Sequence, residues 1–182
     1  ASTNPLTALI APYSSEMKEI GELMAQANEA SFIKALSKLN DLSARIERPS
    51  EAAGLIDGLK GLILAGLNRI QPARTSLESS IGQYHGNKDM MLVLVAIQTQ
   101  ENDPLAAIET LKVAAKYQPT IVSELKTEIV YGLYQQLRKL ENEKRRSGTD
   151  DLNILLGESG WKQTPMTSEG DGALSAAVQA LL

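Results

Sequence analysis

The stretch "GLIDGLKGLILAGLNRIQPA", residues 54–73, decides how this chain folds. Its apolar side chains recur at helical spacing, yet Gly54, Gly58, Gly61 and Gly66 lie inside the same run. A glycine in a helix interior costs about 0.5–1 kcal/mol relative to alanine. That cost is offset where a second helix comes so near that a side chain would stand in the way, because closer approach adds dispersion contacts. The stretch therefore predicts a buried helix with a close neighbour, stopped near Asn68 and followed at once by another helix.

Working outward, helix-period patterning runs from about residue 14 to 146, and no stretch alternates long enough for a strand. The predicted helices are 14–28, 31–47, 51–67, 71–84, 87–100, 104–117 and one long helix over 120–146. Breaks fall at Pro49, Asn68 to Pro72, Gly86–Asn87, Asn102 to Pro104 and Pro119, which are turn and helix-start residues. Connections this short imply antiparallel neighbours. After Gly148 the chain turns rich in Gly, Ser, Thr and Asp, so a mostly irregular tail is expected, with one helical turn at 150–156. The closing "ALSAAVQALL" predicts a small apolar helix over 173–182 that docks on something. The expected organisation is a segment 1–13, a helical domain 14–147 and the tail 148–182.

Composition narrows the function. The 182 residues are 43% hydrophobic, which suits a packed core, but only 4% aromatic, which argues against base or sugar stacking. A net charge of −4 supplies no field for nucleic acid or anionic lipid. With no cysteine, disulfides, thiolate chemistry and Cys-based metal sites are excluded. The opening "ASTNPLTALIAPYSSE" lacks the basic and long apolar parts of a signal peptide. The apolar run 52–67 carries Asp57 and Lys60 and is too short to span a bilayer. A cytoplasmic location is expected, with periplasmic or exported locations left open.

An internal period emerges at an offset of 34 residues. Ala73 falls over Ala107, Ile63 over Ile97, Asn68 over Asn102, Leu77 over Leu111 and Ser80 over Ala114. This resembles the tetratricopeptide repeat (TPR), a helix–turn–helix unit in which small residues recur where helices cross. Gly61, Ala73, Ala107 and Ala114 match those small positions, and Leu77 and Leu111 the large apolar one. Asp57 and Met91 stand where that family carries Trp, and His85 stands where it carries Pro. Upstream, Ala35, Leu39 and Leu42 repeat the spacing, but Ala35 precedes Ala73 by 38 residues, so about four extra residues are expected in the "ERPSEA" connection. The resemblance implies an all-α, right-handed α–α superhelix of about three hairpins, closed by the long helix 120–146 and followed by the irregular tail.

It also implies a concave face lined by the first helix of each hairpin. Its candidate residues are Met17, Ile20 and Met24, then Leu55 and Leu62, then Leu92 and Ala96. The Lys and Asn pattern that clamps a partner's terminal carboxylate in some members of the family is missing, since Val93 and apolar or Gly residues occupy those places. An apolar trough with adaptable methionines suits an amphipathic or extended apolar segment of another protein. Alternatively the chain covers its own trough with "NPLTALIAPY" or "ALSAAVQALL", or forms a homodimer through that terminal helix.

Fragments that mimic chemistry lack their settings. Gly58-Leu59-Lys60 has the wrong spacing for a phosphate loop, and Ser159 to Lys162, "SGWK", has no companion motifs for an acylating serine. His85 is placed at a helix end, where a cation favours the dipole, and Lys144, Arg145 and Arg146 are placed in the last turn of the long helix for the same reason. A docking spot for an acidic partner is the other reading of those three cations. No catalytic constellation, cofactor or metal set is predicted. The expected function is a non-enzymatic protein-binding adaptor or scaffold. The alternatives are a structural subunit of a secretion or envelope assembly, or a secretion-type chaperone.

Overall fold

Local capping sets the starts of four of the described helices. In this computed structural model, which describes residues 10–163, α1 spans Ser14–Gln26 after a 3-10 turn at Ala11–Tyr13, and α2 spans Glu29–Arg45. Asn28 and Ser31 cap α2 reciprocally: the Ser31 amide donates to Asn28 Oδ1 at 2.9 Å, and the Asn28 amide to Ser31 Oγ at 3.3 Å. Ser50 caps α3 (Glu51–Gly66), Asn87 caps α5 (Lys88–Gln100), and Asp103 with Pro104 at the first position opens α6 (Pro104–Tyr117). Helix α4 spans Ile70–Ile81. The described residues are all-helical with no strand. The helix expected over 173–182 lies outside the described residues, as does most of the segment 1–13.

The chain divides into two units between Tyr84 and His85. In the first, α1 packs on α2, α2 on α3, and α3 most extensively on α4. Ile20, Ala35, Leu39, Leu42, Ile56 and Ile63 form a buried cluster there. The glycines of α3 explain its closeness to α4. A Cβ built on Gly61 would lie 2.5 Å from Leu77 Cγ and 3.3 Å from the Ala73 carbonyl oxygen. One on Gly54 would lie 2.7 Å from the Cβ atoms of Gln83 and Tyr84 and 2.9 Å from the Tyr84 backbone nitrogen. Gly66 meets Phe32 of α2 instead. Across the seam Ser80 Oγ donates to the Gly54 carbonyl at 2.6 Å, satisfying a hydroxyl that is 2% exposed.

The hairpins α3–α4 and α5–α6 turn in the same way, 34 residues apart. Asn68 and Asn102 both adopt a left-handed conformation, with φ of 58° and 59°. The Arg69 amide donates to the Leu64 carbonyl at 2.8 Å, as Asp103 does to Gln98 at 2.9 Å; Asn68 donates to Ala65 at 3.0 Å, as Asn102 does to Thr99 at 3.1 Å. This paired bonding closes both helix ends, and asparagine tolerates the left-handed position better than most residues. The extra residues upstream are not a loop insertion, since the connection 46–50 is shorter than 82–87. They lengthen α2 and α3 instead, which are 17 and 16 residues against 12 and 13 in α4 and α5.

In the second unit the predicted long helix 120–146 is replaced by three: α7 (Thr120–Ser123), α8 (Thr127–Leu137) and α9 (Asn142–Ser159). The first break frees the Leu125 carbonyl, which accepts from Trp161 Nε1 at 2.7 Å. The second lets α9 fold back onto α6, α7 and α8. Gly148 therefore does not begin an irregular tail, and the boundary expected at 147/148 falls inside a helix. Gly148 is buried where α9 comes nearest its neighbours: a Cβ there would lie 2.6 Å from Leu137 Cδ2 and 3.0 Å from Leu105 Cδ2. Lys144, Arg145 and Arg146 consequently occupy the start of α9, not the end of a helix, and lie exposed at its positive end. His85 caps no helix; its ring stacks on Tyr117 at 3.9 Å and 5°. Gln136 ties α8 to α5, its Nε2 donating to the Thr99 carbonyl at 2.8 Å.

Alanine substitutions at glycine separate the seam from open surface. Gly54→Ala and Gly61→Ala are expected to destabilise by about 1–3 kcal/mol, because backbone and branched carbon atoms must move. Gly21→Ala and Gly157→Ala, where a Cβ meets nothing within 4 Å, are expected to stabilise by about 0.5–1 kcal/mol. Urea unfolding midpoints of the four variants test both signs.

Candidate functional site

Helix α3 is buried on nearly every side. Leu55, Leu59 and Leu62 are only half-buried, and their spacing places them in one line along the helix. Leu59 packs on the same cluster as Met17 and Met24 of α1, both also half-buried. The first unit thus holds the predicted Met17, Met24, Leu55 and Leu62 in partly accessible positions and adds Leu59, which the repeat register passed over. Two predicted lining residues are corrected: Ile20 is 1% exposed and Ala96 0%, so both lie in the core and not on an accessible face. Met17 and Met24 pack against the cluster that contains Ile20, and in α5 the whole run 93–99 around Ala96 is buried. Leu92 is half-buried in the second unit. The four predicted packing residues Gly61, Ala73, Ala107 and Ala114 are all buried.

A buried carboxylate holds the first unit's second hairpin to its approach. Asp57 on α3, 5% exposed, receives both Arg48 nitrogens at 2.7 and 2.8 Å and the Ser79 hydroxyl at 2.8 Å. Burial pushes its pKa up, but the Arg48 guanidinium and the Ser79 hydroxyl outweigh this and hold the carboxyl below its ordinary value. The group is structural: it joins the connection 46–50 and α4 to α3.

The second unit carries a cleft of about 430 Å³ lined by Thr127, Val130, Tyr131, Tyr134, Trp161 and Gln163. Helix α8 turns Ile129, Val130, Leu133 and Leu137 into the core, leaving Tyr131 50% exposed and Tyr134 half-buried. The Tyr134 hydroxyl donates to Asn153 Oδ1 on α9. Trp161 arrives because Gly160, at φ 71°, reverses the chain after α9: the Trp161 amide then donates to the Leu156 carbonyl at 3.1 Å. The cleft gathers the chain's only tryptophan and two of its tyrosines. Sequence reasoning missed it by treating 148–163 as tail. Two signals were present: tyrosines three residues apart, adjacent on a helix, and Gly followed by a large apolar residue, which marks a helix end.

No protein-family model matches the chain, and no curated protein or solved structure is detectably similar to it. Among the described residues no three His, Cys, Asp or Glu side chains are grouped to hold a metal ion, and no helix is long and apolar enough to cross a membrane.

Two variants probe these features. Because the native Asp57 carboxyl stays charged below the pH at which an unfolded aspartate titrates, near 3.8, its contribution is full above that value and is lost as pH falls through the native pKa. Asp57→Asn is expected to cost about 1–2 kcal/mol at neutral pH, given that Arg48 is partly solvated, and to flatten the acid limb of stability below pH 3.8. Denaturant unfolding across pH 2 to 7, roughly the carboxylate range, measures both effects. Gly160→Ala places a Cβ in the left-handed region and is expected to cost about 1–2 kcal/mol, read from the same unfolding curves.

Proposed function

We propose that the chain is a TPR-like helical-repeat module, arranged as a right-handed superhelix, that acts without catalysis as a protein-binding adaptor or scaffold. The observation that carries this reading is the matched turn at Asn68 and Asn102, repeated bond for bond at the 34-residue spacing of that family. A helical-repeat stack presents one helix of each hairpin to a partner. On α3 the line Leu55, Leu59 and Leu62 supplies apolar side chains that remain partly accessible, and the same unit holds the partly accessible Met17 and Met24 of α1. Half-buried leucines and methionines fit the apolar face of an amphipathic helix, whose anchors recur at the same helical spacing. The bound species is therefore a partner's amphipathic or apolar segment, held by burial of its leucine-like anchors.

The test is a panel of labelled amphipathic peptides carrying leucines at i, i+3, i+4 and i+7, with scrambled versions as controls. The wild-type chain is expected to bind patterned peptides and not scrambled ones by fluorescence anisotropy. Leu62→Glu is expected to weaken binding at least tenfold, equivalent to about 1.4 kcal/mol, with far-ultraviolet circular dichroism unchanged. Failure of the wild type to prefer the patterned peptides, or unimpaired binding by the variant, overturns the reading.

A further inference from the structure

The aromatic cleft of the second unit has no role in the reading above, and three features of it point to one occupant. Its lining residues, Thr127, Val130, Tyr131, Tyr134, Trp161 and Gln163, include no charged side chain. The indole and one phenol already spend their polar atoms on partners within the chain, Trp161 Nε1 on the Leu125 carbonyl and the Tyr134 hydroxyl on Asn153. What they offer outward is apolar ring surface, while Tyr131 is half in water. The described residues also end inside the cleft, since Gln163 is one of its walls.

We propose that this cleft is the docking site of the chain's own segment 173–182, "ALSAAVQALL". That segment carries no charge, matching the cleft. Its sequence places Leu174, Val178 and Leu181 at i, i+4 and i+7, a stripe of aliphatic anchors, with Ser175 and Gln179 off that stripe. Residues 164–172 connect it to the wall of the cleft, and nine residues reach at most about 30 Å when extended. A ten-residue helix is only about 15 Å long, so this connection lets the segment return over Tyr131 and Trp161 without strain. Tethering that close to the site gives an effective concentration in the millimolar range, so a weak contact suffices to keep the cleft filled. This docking stands independently of the adaptor reading, because it concerns a different surface and is read by a different probe.

Trp161, the only tryptophan, reports on the cleft in the full-length chain. Expected for the wild type are blue-shifted emission and weak quenching by acrylamide. In the double variant Leu174→Asp/Leu181→Asp the emission is expected to shift to the red and quenching to rise severalfold, with the urea midpoint of the helical core unchanged. Tyr131→Ala, which weakens the cleft from its other side, is expected to raise protease cleavage after Lys162 while preserving the circular dichroism spectrum. Sedimentation velocity accompanies each measurement over a dilution series. Shielding of Trp161 that persists in the monomer supports docking within one chain. Shielding lost together with a dimer on dilution assigns the cleft to a second copy and overturns the proposal, as does equal quenching of the wild type and the double variant.

Discussion

Close approach of α3 to α4 is the constraint on which the first unit rests. At Gly61 helix α4, and at Gly54 the residues just after it, leave no room for a methyl group on α3; the atoms met there are backbone atoms, Cβ carbons and the branch of Leu77. Interiors packed at such density transmit strain and do not absorb it, so the seam fixes the angle and register of the pair. The rest follows from that fixed pair. Ser80 finds the Gly54 carbonyl, Ser79 and Gln83 come within reach of Asp57, and Arg48 is drawn to the same carboxylate from the preceding connection. A propensity loss on one helix thus secures both an apolar contact and an ion pair whose carboxylate is buried.

The hairpins were legible in the sequence because each of their signals is local. Capping residues, the asparagines at the turns, Pro104 and the small residues at the crossings act within a few positions, and the structure uses nearly all of them. The segment 120–146 was misread because its breaks are tertiary. Its apolar stripe is continuous through Ile121, Leu125, Ile129 and Leu133, and no proline or glycine marks either corner. The carbonyl freed at Leu125 is satisfied by an indole 36 residues away, a compensation that no window of local sequence displays. Once the helix is broken, the exposed cations from Lys144 to Arg146 change from dipole partners to dipole opponents, which shows how a charge argument inherits the error of a boundary.

The candidate surfaces were legible in part. A repeat register states which residues share a face, but it does not state how deeply a face is covered. Leu55 and Leu62 stay partly accessible, whereas Ile20 and Ala96 are sealed by neighbours whose positions depend on helix packing. Leu59 was passed over because the register does not count it among the concave positions, yet its spacing puts it on the line between Leu55 and Leu62 and it stays half-buried. The aromatic cleft depends on Gly160 reversing the chain and on α9 existing at all, so it could be inferred only after the tail had been recognised as a helix.

The unequal interior of the two matched hairpins has a consequence for their spacing. Leu77 and Leu111 occupy the same place in the 34-residue register, but Leu77 enters the notch left by Gly61, whereas the equivalent position on α5 is Val95, buried and branched. A branched side chain there keeps α6 from coming as near to α5 as α4 comes to α3, and the first of these hairpins shares the more extensive seam. One side chain thus sets the gauge of each hairpin while the turn stays the same.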